Sequence, residues 1–322
     1  MTGDEFILTL ACPEQRGIVH AVSTYLVDHG CDIVDNRQFG DRKTGRFFMR
    51  VHFVTDGTGG RESTPEAEIV TGPEPGPESG PESGSDSGPE TGSGSGADVE
   101  RLRADFEPLG TTYGMTWHLV GLNERPRVMI MVSKFGHCLN DLLYRWKTNQ
   151  LKIELPVIVS NHRDLEDVAV AAGIPFVHIP VTRDTKAEAE ARLLEVVAEY
   201  DIELVVLARY MQVLSDDVCK RLEGRAINIH HSFLPSFTGA RPYHQAYDRG
   251  VKVIGATAHY VTPDLDEGPI IEQELIRVDH AHGPEEFVVI GRDAECLALA
   301  RAVQWHTERR VLLNGTHTVV FR

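Results

Sequence analysis

The sequence predicts an α/β protein in two parts: a small βαββαβ unit over residues 1–122, then a doubly wound, mostly parallel sheet over 126–322. Three observations predict it. Short apolar runs alternate with segments of helical spacing along nearly the whole chain. A stretch at 57–96 with almost no apolar side chains interrupts the first part and spares the second. Beyond residue 126 strands alternate with helices, the pattern of a parallel, doubly wound sheet with helices on both faces.

In the first part, Phe6–Leu10 reads as a buried strand, and Pro13–Gly17 as a turn. Ile18, Val22 and Leu26 then recur every fourth residue, a helical spacing that Gly30 ends in the manner of a C-terminal cap. Asp32–Phe39 is a second strand and Gly40–Gly45 a hairpin turn. Phe47, Met49, Val51 and Phe53 alternate along a third strand. After the interruption, Val99, Leu102, Phe106 and Leu109 mark a helix face, and Met115–Leu122 a last strand.

Segment 57–96 holds 11 Gly, 6 Pro and eight acidic residues against one base, Arg61. It carries −7 of the formal net charge of −16. Such a composition buries too little apolar area to offset chain entropy, so it is expected to stay disordered. The acidic balance argues against nucleic acid as a partner. No apolar run reaches the roughly 18–20 residues of a membrane span, and no targeting signal is visible. Five scattered cysteines without a C-x-x-C pair suit reduced thiols, and a cytoplasmic location is expected.

The residues Cys12-Pro-Glu-Gln-Arg-Gly-Ile-Val19 and Asp32-Ile-Val-Asp-Asn36, in this element order, resemble the ACT domain. That ferredoxin-like module pairs with copies of itself and often binds amino acids. The resemblance implies a regulatory unit with a ligand near Glu14–Ile18, opposite Asp32 and Asn36, and a homo-oligomer, dimer or tetramer. A unit that only dimerises is the alternative. Glycine and methionine are the candidate effectors.

The second part opens with strand Arg127–Val132 and a helix over His137–Gln150 carrying Leu139, Leu142, Leu143 and Trp146. Strand Pro156–Val159, helix Asp164–Ala172, strand Phe176–Ile179, helix Lys186–Tyr200 and strand Ile202–Leu207 follow. In such a sheet, ligands belong at the carboxyl ends of the strands. The first loop, Ser133-Lys-Phe-Gly-His-Cys138, has one glycine, so a dinucleotide or ATP phosphate cradle is not expected. Phe287, Ile290, Ala294 and Leu297 mark a long C-terminal helix, and Asn314-Gly315 reads as the turn of a final hairpin, Val311–Leu313 to Thr318–Phe321.

The densest chemistry lies in Arg225-Ala-Ile-Asn-Ile-His-His-Ser-Phe-Leu-Pro-Ser236. On a strand over Ala226–Ile229, Asn228 and His230 point to one side at its end. A further strand, Lys252–Val261, ends in the acidic loop Thr262-Pro-Asp-Leu-Asp-Glu-Gly-Pro269, which is able to return Asp266 toward His230. Asn, His and Asp then suit a carbonyl polariser, an acid/base and an orienting carboxylate. By spacing alone a structural histidine is the competing reading. Met211 and Leu214 suit either ring faces or core, and Arg209 either a carboxylate partner or the surface. His230, His231, His259, His280 and His282 form no recognised ligand spacing, so no metal is expected. Ala240-Arg-Pro-Tyr-His-Gln245 starts a helix that supports the site.

Asn228-Ile-His-His-Ser-Phe-Leu-Pro-Ser-Phe237 and His259-Tyr-Val-Thr-Pro-Asp-Leu-Asp-Glu-Gly-Pro269 resemble the signature of the 10-formyltetrahydrofolate-dependent formyltransferases, from about Arg127 to Phe321. The resemblance implies a catalytic triad at Asn228, His230 and Asp266. It also implies a pterin pocket that includes Arg209, Tyr210, Met211, Val213, Leu214, Val261 and Gly268. With an ACT-like unit in front, and with Ser133–Leu139 and Leu207–Leu214 as they stand, the chain resembles the hydrolytic branch of that family. That branch releases formate and tetrahydrofolate, in one-carbon and purine metabolism, without a cofactor. The family's transferases to glycinamide ribonucleotide hold its phosphate on a Gly/Ser-rich first loop, where Phe135 and His137 stand here. Formyl transfer to an amine and a non-enzymatic folate- or amino-acid-responsive regulator are the alternatives.

Overall fold

Phe6, Leu8 and Leu10 point to one side of strand β1 (Glu5–Pro13), and the fold of the first unit follows from what covers them. The computed structural model describes residues 4–55, 95–235 and 242–322. The chain divides into two compact units, Met1–Asn123 and Glu124–Arg322. In the first, β1 is followed by α1 (Ile18–Asp28), β2 (Cys31–Asp41), β3 (Arg46–Thr55), α2 (Ser95–Tyr113) and β4 (Thr116–Gly121). The sheet order is β2-β3-β1-β4 with every neighbour antiparallel, the ferredoxin-like arrangement. Met49, Val51 and Phe53 of β3 join the β1 residues beneath Ile18, Val22 and Leu26 of α1 and Val99, Leu102 and Phe106 of α2. The Tyr25 hydroxyl donates to the Leu102 carbonyl at 2.7 Å, which ties the two helices together. Gly30, at φ +66, stands just past the α1 cap, where a side chain is strained. Of the expected disordered segment, residues 57–94 lie outside the described residues, and 95–96 open α2.

In the second unit, β5 (Arg127–Val132) lies inside the sheet, with a strand paired on each side. It is followed by α3 (His137–Lys147), β6 (Glu154–Ser160), α4 (Glu166–Ala172), β7 (Phe176–His178), α5 (Lys186–Glu199) and β8 (Leu204–Leu207). Next come α6 (Asp216–Arg221), β9 (Ala226–His230), α7 (Pro242–Asp248), β10 (Val253–Tyr260), β11 (Ile270–Arg277), α8 (Pro284–Thr307), β12 (Val311–Asn314) and β13 (His317–Val320). The strand order is β11-β10-β9-β8-β5-β6-β7, with β10 and β11 antiparallel to their neighbours and the rest parallel. Alternate residues of β5 feed two cores. Val128, Ile130 and Val132 pack with α3 and α8 residues, and Met129 and Met131 with α5 and α6 residues. This double burial explains why the central strands read as unbroken apolar runs. Among the described residues no helix is long and apolar enough to cross a membrane.

Four details differ from the sequence expectation. The sequence reading did not anticipate β11 or α6. The first is an edge strand whose charged positions blur its alternation. The second is a six-residue helix carried by its Ser215 cap, which accepts from the Val218 N–H. The buried stripe of α8 runs through Phe287, Gly291, Ala294, Glu295 and Ala298, with Ile290 and Leu297 only half-buried. The last hairpin turns on Gly315-Thr316, because Asn314 pairs with His317 and Gly315 supplies the positive φ of +62.

Candidate active site

The chain leaves β5 toward β6 and β7, then returns on the other side of β5 as β8. At such a switch of direction the connections diverge and leave a crevice beyond the strand ends. The loop after β8 forms one wall of this crevice, and β9 and the end of β10 form the floor. The antiparallel register of β9 and β10 sets His230 opposite Thr257 and Asn228 opposite His259. A β-bulge between Ala258 and His259 in the pairing with β11 bends β10 beside the site.

The loop after β10 folds back sharply. The Tyr260 N–H donates to the Pro269 carbonyl at 2.9 Å. A Cβ on Gly268 would stand 1.7 Å from the Tyr260 carbonyl oxygen, so no larger residue permits this approach. Asp266 takes a left-handed φ of +58 and returns its carboxylate to the strand ends. Its Oδ1 lies 3.2 Å from His230 Nδ1 and 3.7 Å from His259 Nε2. His259 Nδ1 sits 2.9 Å from the Tyr260 carbonyl, which accepts its proton. In the neutral ring, His259 Nε2 is then an acceptor, and the Asn228 Nδ2 amide donates to it at 3.3 Å. That contact orients the Asn228 amide and leaves its second N–H for a ligand.

Burial alone would raise the Asp266 pKa. The His230 ring at 3.2 Å, with His259 beside it, outweighs that burial and holds the carboxyl well below the usual range, so Asp266 is ionised at neutral pH. His231 stacks on His230 with ring centroids 5.0 Å apart. Burial, with Arg209 and His230 beside it, lowers the His231 pKa to about 4, so this second ring is neutral at pH 7. His230 Nε2 is buried and has no hydrogen-bond partner among the described residues. A buried polar atom left unpaired costs about 1–3 kcal/mol, a cost that a ligand atom bonded to it would remove.

A cavity of about 270 Å³ brings together Asn228, His230 and Asp266 with Arg209, Tyr210, Met211, Val213, Leu214 and Val261. Met211, Val213 and Leu265 are 51%, 56% and 64% exposed, giving the crevice apolar surfaces suited to a flat ring. Tyr210 is buried, which pushes its hydroxyl up to about 12 and keeps it protonated. Arg209 is not a surface residue: it has φ +65, is 11% exposed and pairs with Glu295 at 3.3 Å. Gly268 is the expected binding residue that this cavity does not include, and its place in the fold is the tight loop return. His280 and His282 stand apart beside Asp279, with His282 Nδ1 2.9 Å from its carboxylate. His137, Cys138 and Glu295 bring metal-ligating atoms within 4.8 Å of one another. Glu295 is already paired there with His137 and with the Arg209 guanidinium.

Residues 126–303 match the formyl transferase family. A formyltetrahydrofolate deformylase of Corynebacterium sp. (strain P-1) is 47% identical over 98% of both chains. The chain belongs to the formyltetrahydrofolate deformylase family. The deformylase of Bacillus subtilis is 41% identical over 99% of this chain and 94% of its own. The crystal structure of the Burkholderia mallei deformylase, 47% identical, superposes with a TM-score of 0.85 over 99% of this chain and all of that one. A glycinamide ribonucleotide transformylase from Symbiobacterium toebii shares the second unit's fold. It is 28% identical, with a TM-score of 0.58, over 64% of this chain and 98% of that one.

The sequence reading missed two residues. His259 orients the Asn228 amide and stands beside Asp266, a role that the sequence did not assign to it. Its signal was its position as the first residue of the second motif. Glu295 was read as part of an ordinary helix, and only its burial gives it away.

Proposed function

We propose that this protein hydrolyses 10-formyltetrahydrofolate to formate and tetrahydrofolate on the residues around His230. The observation that carries the reading is the unpartnered His230 Nε2, with Asp266 behind it, in a crevice with apolar walls. The deformylases that match over nearly the whole chain supply the substrate class.

In this reading the pterin ring lies between the loop Arg209–Leu214 and the segment Val261–Asp266, with Met211 and Val213 against its faces. The formyl carbon then sits beyond Asn228 and His230. The free N–H of Asn228 and a protonated His230 Nε2 donate to the formyl oxygen as water attacks and negative charge develops. A single donor of this kind is worth about 10²–10³ in rate. Asp266, ionised and bonded to Nδ1, stabilises the imidazolium and takes part in moving a proton from the attacking water to the departing nitrogen. The C–N bond breaks, the nitrogen leaves as the amine of tetrahydrofolate, and the water oxygen stays on formate. His259 orients the Asn228 amide. The chemistry uses side chains alone, with no metal and no cofactor.

Phe135 favours hydrolysis over transfer. Its ring lies 5.7 Å from the Arg209 guanidinium carbon and 5.7 Å from that of Arg292, in the loop where the family's transferases hold the acceptor's phosphate. The first unit is the regulatory part, with an amino-acid effector, glycine or methionine, at Glu14–Ile18 facing Asp32 and Asn36. It pairs copies of the chain into a homo-oligomer. The enzyme works in the cytoplasm, where its five free cysteines stay reduced.

The test is formate release from 10-formyltetrahydrofolate by Asp266→Asn and His230→Ala. Each is expected to lose at least about 10²-fold in kcat while tetrahydrofolate binding stays within about threefold. Near-normal turnover in either variant rejects the assignment.

A further inference from the structure

Glu295 lies on α8 with 1% of its side chain exposed, and a buried carboxylate persists only where it is paired and hydrogen-bonded. Three elements supply its partners. His137 Nε2, at the start of α3, donates at 2.7 Å, and the Tyr243 hydroxyl of α7 donates at 2.8 Å. Arg209 Nε, from the loop after β8, stands 3.3 Å away. One turn before Glu295 on the same helix, a Cβ on Gly291 would come within 2.1 Å of the Tyr243 ring. That glycine lowers helix propensity, and the room it leaves is where the ring lies so that its hydroxyl reaches Glu295.

The same carboxylate faces a strained backbone. Arg209 holds a φ of +65, which a long side chain keeps only when its surroundings dictate it. Among the described residues, Glu295 is the anion that pairs with Arg209. The loop that Arg209 begins is held further along by the Met211 N–H on Ser133 Oγ, at 2.9 Å, and by the Ser215 N–H on Glu190, at 2.8 Å. Arg209 to Leu214 line the cavity, and Glu295 does not.

We infer that Glu295 is a positioning residue for ligand binding: it fixes Arg209, and through it the cavity wall from Arg209 to Leu214, without touching the ligand. The inference rests on the reading that this cavity takes the folate. Asn228, His230 and Asp266 stand on other elements, so the expected signature is weakened binding with chemistry largely kept.

The test uses the full chain carrying Glu295→Gln, which keeps the size and the Tyr243 hydrogen bond but removes the charge opposite Arg209. KM for 10-formyltetrahydrofolate and the calorimetric Kd for tetrahydrofolate are each expected to rise about tenfold, with kcat within about threefold of wild type. Glu295→Asp is expected to recover part of the loss. The double variant Arg209→Met/Glu295→Met is expected to restore thermal stability but not KM, as apolar replacement of a buried ion pair does. If Glu295→Gln does not fold, Glu295→Asp decides: a raised KM with kcat kept supports the inference, and a wild-type KM overturns it. A folded Glu295→Gln with wild-type KM and Kd also overturns it. A wild-type protein that neither binds folate nor releases formate refutes the proposed function instead.

Discussion

Asp266 and Arg209 hold positive φ values of +58 and +65, backbone that only glycine enters freely. Both line the crevice, and each side chain contacts a partner there, His230 at 3.2 Å in one case and Glu295 at 3.3 Å in the other. At this scale the sequence was informative where residues are close in the chain. Asn228 and His230 share a strand face by period-two alternation, and the Pro- and Gly-punctuated loop of Asp266 signalled a return. His259 needed the antiparallel register with β9, which no local pattern specifies. Glu295 needed the burial of its helix face, because a glutamate in an amphipathic helix normally faces water. A pH prediction belongs here. The His231 pKa falls from 6.5 to about 4 on folding. The folded state therefore binds fewer protons than the unfolded one between those values. The stabilisation is fully present above about pH 6.5 and is lost as the pH falls toward 4. His231→Gln is expected to flatten that decline in urea-unfolding midpoints, and a decline as steep as in wild type contradicts the buried neutral ring.

Elements were legible when a single period dominated. β5, α1 and α5 fall within a residue or two of their expected bounds because one face of each is apolar and the other is polar or equally buried. β11 was not, since its Glu-Gln-Glu centre and edge position leave little apolar alternation to read. The loop between β10 and β11 is the element on which the site depends most. Gly268→Ala places a methyl group against the Tyr260 backbone carbonyl, which has no rotamer by which to give way. Overpacking of this kind costs about 1–3 kcal/mol, and relief by loop movement displaces Asp266. The variant is expected to lower the unfolding midpoint and to reduce kcat by at least about tenfold. An unchanged kcat in a folded Gly268→Ala enzyme rejects the tight return as the device that places Asp266.

At the level of the whole molecule, two sheets of different kinds were readable because the element orders differ: βαββαβ with a hairpin in the first unit, strands alternating with helices in the second. The uneven charge was readable as well. The 57–96 segment carries −7 of the −16. Removing residues 60–94 is expected to leave kcat and KM within about twofold of wild type, and a large loss would show that the segment takes part. The account as a whole rests on water being the second substrate. The most direct measurement is formate release by the purified full-length chain from 10-formyltetrahydrofolate with no amine present. The account predicts one formate and one tetrahydrofolate for each substrate consumed. A protein that releases nothing until an amine acceptor is added, and then yields a formylated amine, contradicts it.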